Sequence, residues 1–197
     1  MDTSEHYLSP EEEQLLLRIA RTALDQYVRN RDKTDLDQFD LTDNLREKHG
    51  AFVTLRRGGQ LRGCIGYTES ILPLAETVAE NAVNACSRDP RFPEVAPEEL
   101  DEITVEVSAL SPGETPGSPF KKVNDLSEIV IGRDGLYITR PGQRGGILLP
   151  QVPVEQGWDL PQFLSGVCSK AGYPDRAWEE EGTELYRFSA QVFSESG

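Results

Sequence analysis

Residues 51–67 read Ala-Phe-Val-Thr-Leu-Arg-Arg-Gly-Gly-Gln-Leu-Arg-Gly-Cys-Ile-Gly-Tyr. Two β-prone runs, Ala51–Arg57 and Gln60–Tyr67, flank Gly58-Gly59, a pair that accepts the positive φ of a tight hairpin turn. A two-residue loop sets Arg57 against Gln60, Leu55 against Arg62 and Val53 against Cys64. Strand alternation then predicts Arg62, Cys64 and Gly66 on one face of the hairpin. Leu61, Gly63 and Ile65 take the other face, with Phe52 and Thr54. An antiparallel hairpin of this kind points away from a parallel, alternating βαβ chain.

Outward from the hairpin, helices stand apart from strands. Ser9-Pro10-Glu11-Glu12 supplies an N-cap serine, a proline at the first helical position and a capping-box glutamate. Leu16, Ile19, Ala20, Ala23, Leu24 and Tyr27 follow at helical spacing and predict one buried stripe. Residues 29–48 are polar, with a helical turn expected near Asn44–Lys48. A second helix is expected from Leu72-Pro73, with Ala75, Val78, Ala79, Ala82, Val83 and Cys86 as its buried side. Arg88-Asp89-Pro90-Arg91-Phe92-Pro93 ends it, because proline cannot continue the ladder. Pro97–Leu100 reads as one more turn, and Ile103–Leu110 as a strand with Val105, Val107 and Ala109 on one face. Ser111–Pro119 is rich in proline and glycine and reads as a linker. Short strands are expected at Ile129–Ile131, Leu136–Thr139 and Ile147–Leu149. Asp159 caps a helix with the stripe Leu160, Phe163, Leu164, Val167, Cys168 and Ala171, and Gly172 stops it. Leu185–Phe193 is the last strand. The pattern is α+β.

The chain has 197 residues, 37% hydrophobic and 27% charged, a folded globular mix. No apolar run approaches the ~20 residues of a membrane span. Met1-Asp2-Thr3-Ser4-Glu5 lacks the basic start and apolar stretch of a signal peptide. Three widely spaced cysteines, Cys64, Cys86 and Cys168, argue against a disulfide framework and fit a reducing cytoplasm. The net charge of −14 opposes binding to nucleic acid or to an anionic membrane, so neither is expected as a partner. The charge is uneven. Residues 51–94 balance Arg56, Arg57, Arg62, Arg88 and Arg91 against Glu69, Glu76, Glu80, Asp89 and Glu94.

Within that balanced stretch, Leu61-Arg62-Gly63-Cys64-Ile65-Gly66 is unusual. Glycines inside a strand weaken it and mark places where a backbone or a ligand comes close. A thiol on the face of an arginine is a candidate nucleophile, because a nearby cation lowers its pKa. A buried small residue in a bulged strand is the other reading. Cys86 and Cys168 fall on apolar helix stripes and read as core. No cofactor is expected, since a zinc or iron–sulfur spacing is missing. His49 falls about four strand positions from Cys64, roughly 13 Å at ~3.3 Å per residue, out of hydrogen-bond reach. His6 lies in an expected unstructured leader. Glu106, an acid among apolar strand neighbours, is the candidate base. Arg88, Asp89, Arg91 and Phe92 either cap a helix end or form a pocket wall. Gly142–Gly146 lacks the features of a phosphate loop.

The hexapeptide resembles the signature of the AMMECR domain. So do Ala51–Leu55, Asp89–Phe92, Val105–Pro112, Leu148–Val152 and Glu155–Trp158. The similarity runs from about Leu15 to Phe193, with Tyr67 and Ala109 as small departures. The resemblance implies a large subdomain holding both termini, 1–119 and 183–197, with an antiparallel sheet flanked by helices. It implies a small subdomain, 120–182, with a three-stranded antiparallel sheet, and a cleft between the two. That cleft would be lined by Leu61, Arg62, Gly63, Cys64, Ile65 and Gly66, with Arg88, Asp89, Arg91, Phe92, Ser108, Gln151 and Trp158 as further binding residues. Arg62 would grip a carboxylate or phosphate. Cys64 would be the nucleophile or redox thiol, assisted by Glu106. The resemblance also implies Memo-like and radical-SAM proteins as partners. A peptide, partner protein or small molecule is the expected ligand. A purely non-catalytic interaction module is the alternative, and RNA binding ranks third.

Overall fold

The structure, a computed structural model, describes residues 7–196, so the leader reading of His6 lies outside the described residues. The chain forms two compact units. Unit 1 holds the described residues up to Leu110 and from Gln191 onward, and unit 2 is Ser111–Ala190.

Unit 1 is a three-stranded antiparallel sheet with helices on one face. Strand β1 (Ala51–Arg57) pairs with both β2 (Gln60–Tyr67) and β3 (Ile103–Leu110), so β1 is central. Helix α1 (Pro10–Asn30) starts at the predicted capping box: the Glu12 N–H donates to Ser9 Oγ at 3.2 Å, and the Ser9 N–H donates to Glu12 Oε2 at 2.9 Å. Helix α2 (Asp43–Arg46) is the short turn, capped by Thr42. Helix α3 (Leu74–Ser87) starts after Pro73. Leu16, Ile19 and Leu24 of α1, Val78 and Ala82 of α3, and Val53, Leu55, Val105 and Val107 of the sheet bury completely in one cluster. Each large aliphatic in it contributes on the order of 1.5–3 kcal/mol relative to exposure. The chain end closes the unit: the Glu195 N–H donates to Val105 O at 3.0 Å, and its carboxylate pairs with Arg21.

Unit 2 is built on β4 (Lys121–Lys122), β5 (Asp134–Thr139), β6 (Gly146–Leu148) and the first part of β7 (Glu184–Ser194). β5 pairs antiparallel with β6 and β7, and β4 pairs with β7. Helix α5 (Leu160–Ala171) has the predicted Asp159 N-cap and Gly172 stop, and it buries Phe163, Leu164, Val167 and Cys168 against Leu136 and Ile138. Helix α4 (Gln151–Gln156) precedes it. The expected strand at Ile129–Ile131 does not form. Its backbone bonds go to turns instead: the Val130 N–H donates to Asp134 Oδ2 at 2.8 Å, while Val130 O accepts from the N–H groups of Arg133 and Asp134. Asp134 is 1% exposed, so this turn is fixed by a buried carboxylate that a β-branched run does not reveal. The architecture is α+β, with antiparallel pairing in the ladders described for each unit.

Candidate functional site

A bulge decides which face Cys64 takes. Thr54 pairs with Cys64 and Leu55 with Gly63, but Arg56 pairs with Leu61, so Arg62 is skipped. The extra residue shifts the pairing by one. Cys64 therefore faces Thr54 rather than Val53, and Gly66 faces Phe52, which corrects the even two-strand register. Thr54 also pairs with Glu106, and Phe52 with Ser108. Directly opposed residues share a face. The non-helical face of the sheet thus carries two rows, Cys64–Thr54–Glu106 and Gly66–Phe52–Ser108, with Arg56 beside them.

The thiol is half-buried and held by its neighbours. Thr54 Oγ1 donates to Cys64 Sγ at 3.2 Å. Burial pushes the thiol pKa up, and the carboxylates of Asp89 and Glu106 add to that, against the lowering effects of the Thr54 hydrogen bond and Arg91. This reverses the expectation of an arginine-activated thiolate. The cation that acts on the sulfur is Arg91, not Arg62. Glu106 pairs with Arg56 at 3.7 Å.

β2 is the edge strand of unit 1's sheet, and the segment after α3 covers its open side. Asp89 Oδ2 accepts from the Cys64 N–H at 2.9 Å, and Arg91 Nη2 donates to Cys64 O at 3.4 Å. Arg91 also donates to both Asp89 oxygens, at 2.9 and 2.7 Å. These bonds hold the Asp89 carboxyl down at about 2. An edge closed in this way cannot pair with a stray strand. Arg62 runs the other way. Its fork meets Glu99, with Nε to Oε1 and Nη2 to Oε2 both at 2.9 Å, and Nη1 donates to Pro93 O at 2.9 Å. The Arg62 contact holds Glu99 at about 2. The expected anion grip of Arg62 is thus already filled by the protein's own carboxylate.

The glycines of the motif serve packing. A Cβ on Gly63 would lie 2.2 Å from Ala85 O, so this glycine lets α3 sit on the strand. A Cβ on Gly66 would lie 2.3 Å from the Phe52 ring, which covers it. Ile65 packs against the core of unit 1. Leu61 is 37% exposed at the bulge. Phe92 lies under two guanidinium groups, with Arg91 at 5.5 Å and Arg62 at 6.0 Å from its ring centre. Ser108 is fully buried. Arg88 is exposed at the C-cap of α3 and lines a separate cavity. Gln151 opens α4 in unit 2, and Trp158 packs on the core of that unit beside Gly166. His49 is buried beside Tyr7, with ring centres 5.2 Å apart, and burial lowers its pKa. Among the described residues no cluster of His, Cys, Asp and Glu has a metal-holding arrangement.

Comparison with known proteins settles the relationship. The AMMECR1 sequence profile matches residues 17–193. The chain belongs to the AMMECR1 family. A protein of Methanothermobacter thermautotrophicus is 46% identical over 190 residues, covering 96% of this chain and 97% of its own length. Protein TK0174 of Thermococcus kodakarensis is 46% identical over 187 residues, covering 92% of this chain and 89% of its own. The crystal structure of the uncharacterized protein PH0010 from Pyrococcus horikoshii superposes with a TM-score of 0.88 at 39% identity, covering 96% of this chain and 94% of that one.

In this AMMECR1-family chain, Cys64 and Glu106 share a row and Asp89 and Arg91 bond the Cys64 backbone, while Thr54 and Arg56 beside them are not among the residues that the sequence singles out. The skipped residue is the cause. With an even register Thr54 falls on the face opposite Cys64, and only the bulge at Arg62 brings it alongside. A glycine-flanked strand is a known place for a bulge, which is the signal that was available.

Proposed function

We propose that this chain is a binding module whose ligand face in unit 1 is the Cys64–Thr54–Glu106 row, with Arg56 at its side. The observation that carries this is the hydrogen bond from Thr54 to the sulfur in a half-buried site flanked by two carboxylates. Such a thiol stays protonated at neutral pH, and the thiolate is the nucleophilic form. At rest Cys64 is then a small hydrogen-bonding contact, and the ligand is a peptide, partner protein or small molecule that meets it. Arg62 acts as a positioning residue, tying β2 to Glu99.

A catalytic role is the second reading, favoured by the shared row of Cys64 and Glu106. A ligand that displaces water from the row and carries a positive group would draw the proton from the thiol. Glu106 would receive it, leaving Cys64 as the nucleophilic thiolate. The resemblance supports Memo-like and radical-SAM proteins as the partners, and the free cysteines support a cytoplasmic setting.

The test is the alkylation rate of Cys64 against pH, with each cysteine read by peptide mass spectrometry. The expected result is a slow reaction whose midpoint lies above the ~8.5 of a free thiol. Glu106→Gln should lower that midpoint, because it removes a neighbouring negative charge. A fast reaction with a midpoint well below 8.5 would overturn the binding reading in favour of the nucleophile.

A further inference from the structure

A cavity of about 770 Å³ opens on the helical side of unit 1, between α1, α3 and the loop 31–36. The Cys64 row lies on the other face of the sheet. The size falls within the range of sites for small ligands, ~300–1,000 Å³. Its apolar floor is made of Ala23 and Tyr27 of α1 with Ala79 and Val83 of α3.

Charged residues ring that floor: Asp32, Lys33 and Asp35 on the loop after α1, and three more along α3. Glu76 and Glu80 stand toward its N-terminal half, and Arg88 stands at its C-cap. Arg31, the cap residue of α1, comes to the same end as Arg88. It pairs with Glu94, whose neighbour Val95 donates its N–H to Cys86 O at 2.8 Å. Among the described residues Glu76 and Glu80 make no ion pair, Glu80 accepts from the Tyr67 hydroxyl at 3.1 Å, and the Arg88 guanidinium makes neither an ion pair nor a hydrogen bond. A chain with 34 acidic and 20 basic groups offers carboxylates freely, so an unpaired arginine at a cavity wall is notable.

Among the described residues, the hydrogen bonds at both helix ends come from backbone N–H groups and not from these arginine side chains. Tyr27 O accepts from the Arg31 N–H at 2.8 Å and Gln26 O from the Asp32 N–H at 3.3 Å. Asn84 O accepts from the Arg88 N–H at 2.8 Å. Arg31 is also the sole non-glycine residue with positive φ among the described residues, at 64°. That conformation costs an L-residue about 1–2 kcal/mol, and glycine is the usual occupant. What glycine would lack is the side chain, whose guanidinium lies 4.9 Å from the centre of the Tyr27 ring at the cavity wall.

We propose that this cavity binds a short peptide with free termini. Its ammonium group meets Glu76 and Glu80, its carboxylate meets Arg88, and its apolar side chains lie on the floor of Ala23, Ala79 and Val83. The length follows from the helix. Glu80 to Arg88 spans about 12 Å of helical rise. Three or four extended residues, at ~3.3–3.6 Å each, reach that far.

Trileucine is the probe, added to the full chain and followed by amide chemical shifts and calorimetry. The expected result is saturable binding with shifts at Ala23, Ala79 and Val83. N-acetylation or C-amidation of the probe should each weaken it about tenfold, as should Glu80→Lys or Arg88→Glu. Glu76→Lys repeats the acidic-end test should Glu80→Lys not fold, since Glu76 is exposed. Equal affinity of the doubly blocked peptide overturns the proposal. So does binding unchanged by the charge variants, a set of shifts confined to other elements, or no saturation by about 10 mM.

Discussion

On one face of β2, Gly63 and Ile65 meet the helices, while on the other Cys64 and Gly66 meet Thr54 and Phe52. The first face is a packing surface with no polar group to spare. The second carries a thiol, a hydroxyl and a carboxylate in one row. A single hexapeptide therefore holds two different constraints, one from folding and one from chemistry. The difference teaches that an unusual motif is not a single site. Its glycines answer to α3 and Phe52, its arginine answers to Glu99, and its cysteine alone faces a row of reactive groups.

The sharpest way to break this division is Gly63→Val. The new side chain starts 2.2 Å from a backbone oxygen of a buried helix, which cannot swing aside. Forced overpacking of this kind should cost about 3 kcal/mol or more, read as a lower urea midpoint. If stability is unchanged, the packing reading of this face is wrong.

Asp89→Asn is next. Asp89 is 5% exposed and its carboxyl titrates at about 2 in the folded chain, against 3.8 ordinarily. The folded-state value is depressed, so the stabilisation is present above the unfolded value and lost as pH falls through about 2. The shift corresponds to about 2 kcal/mol at neutral pH. The native chain should lose Tm more steeply than the Asn variant between about pH 4 and pH 2, and parallel curves would remove Asp89 from the edge closure.

Gly66→Ala should cost about 1–2 kcal/mol, because the Phe52 ring at 2.3 Å is a side chain that can turn but the Ala51 backbone oxygen at 2.5 Å is not. Adding Phe52→Leu should recover part of that loss in a double-mutant cycle, and purely additive effects would show that ring and glycine do not touch. The smallest stability effect is expected for Cys64→Ser, under about 1 kcal/mol, since the hydroxyl can keep the Thr54 contact. A large loss on thermal melting would mean that the thiol is core and not part of a ligand face.

Much of this was legible in the residues because the signals are local. The Ser9–Glu12 capping box, the Asp159 cap, the Gly172 stop and the span Ile103–Leu110 each depend on neighbours a few positions apart. The run Ile129–Ile131 misled because β-branching reports a preference, while the buried Asp134 that captures the Val130 N–H decides the outcome. The separate cavity was invisible, because Ala23 and Ala79 read only as helix stripe.

The sequence by itself determined α1, α3 and α5 but not α4, the presence of the central hairpin, the α+β class and the candidates Cys64 and Glu106. Periodicity, capping and turn chemistry act along the chain and can be read from it. The tertiary structure alone decided that Cys64 lies beside Thr54, that Arg62 closes on Glu99, and that burial and carboxylates raise the thiol's pKa. Arg62 and Glu99 are 37 positions apart, and the bulge that frees Arg62 to reach Glu99 also sets the face of Cys64. Such a choice is made by contacts across the fold, which no local pattern encodes.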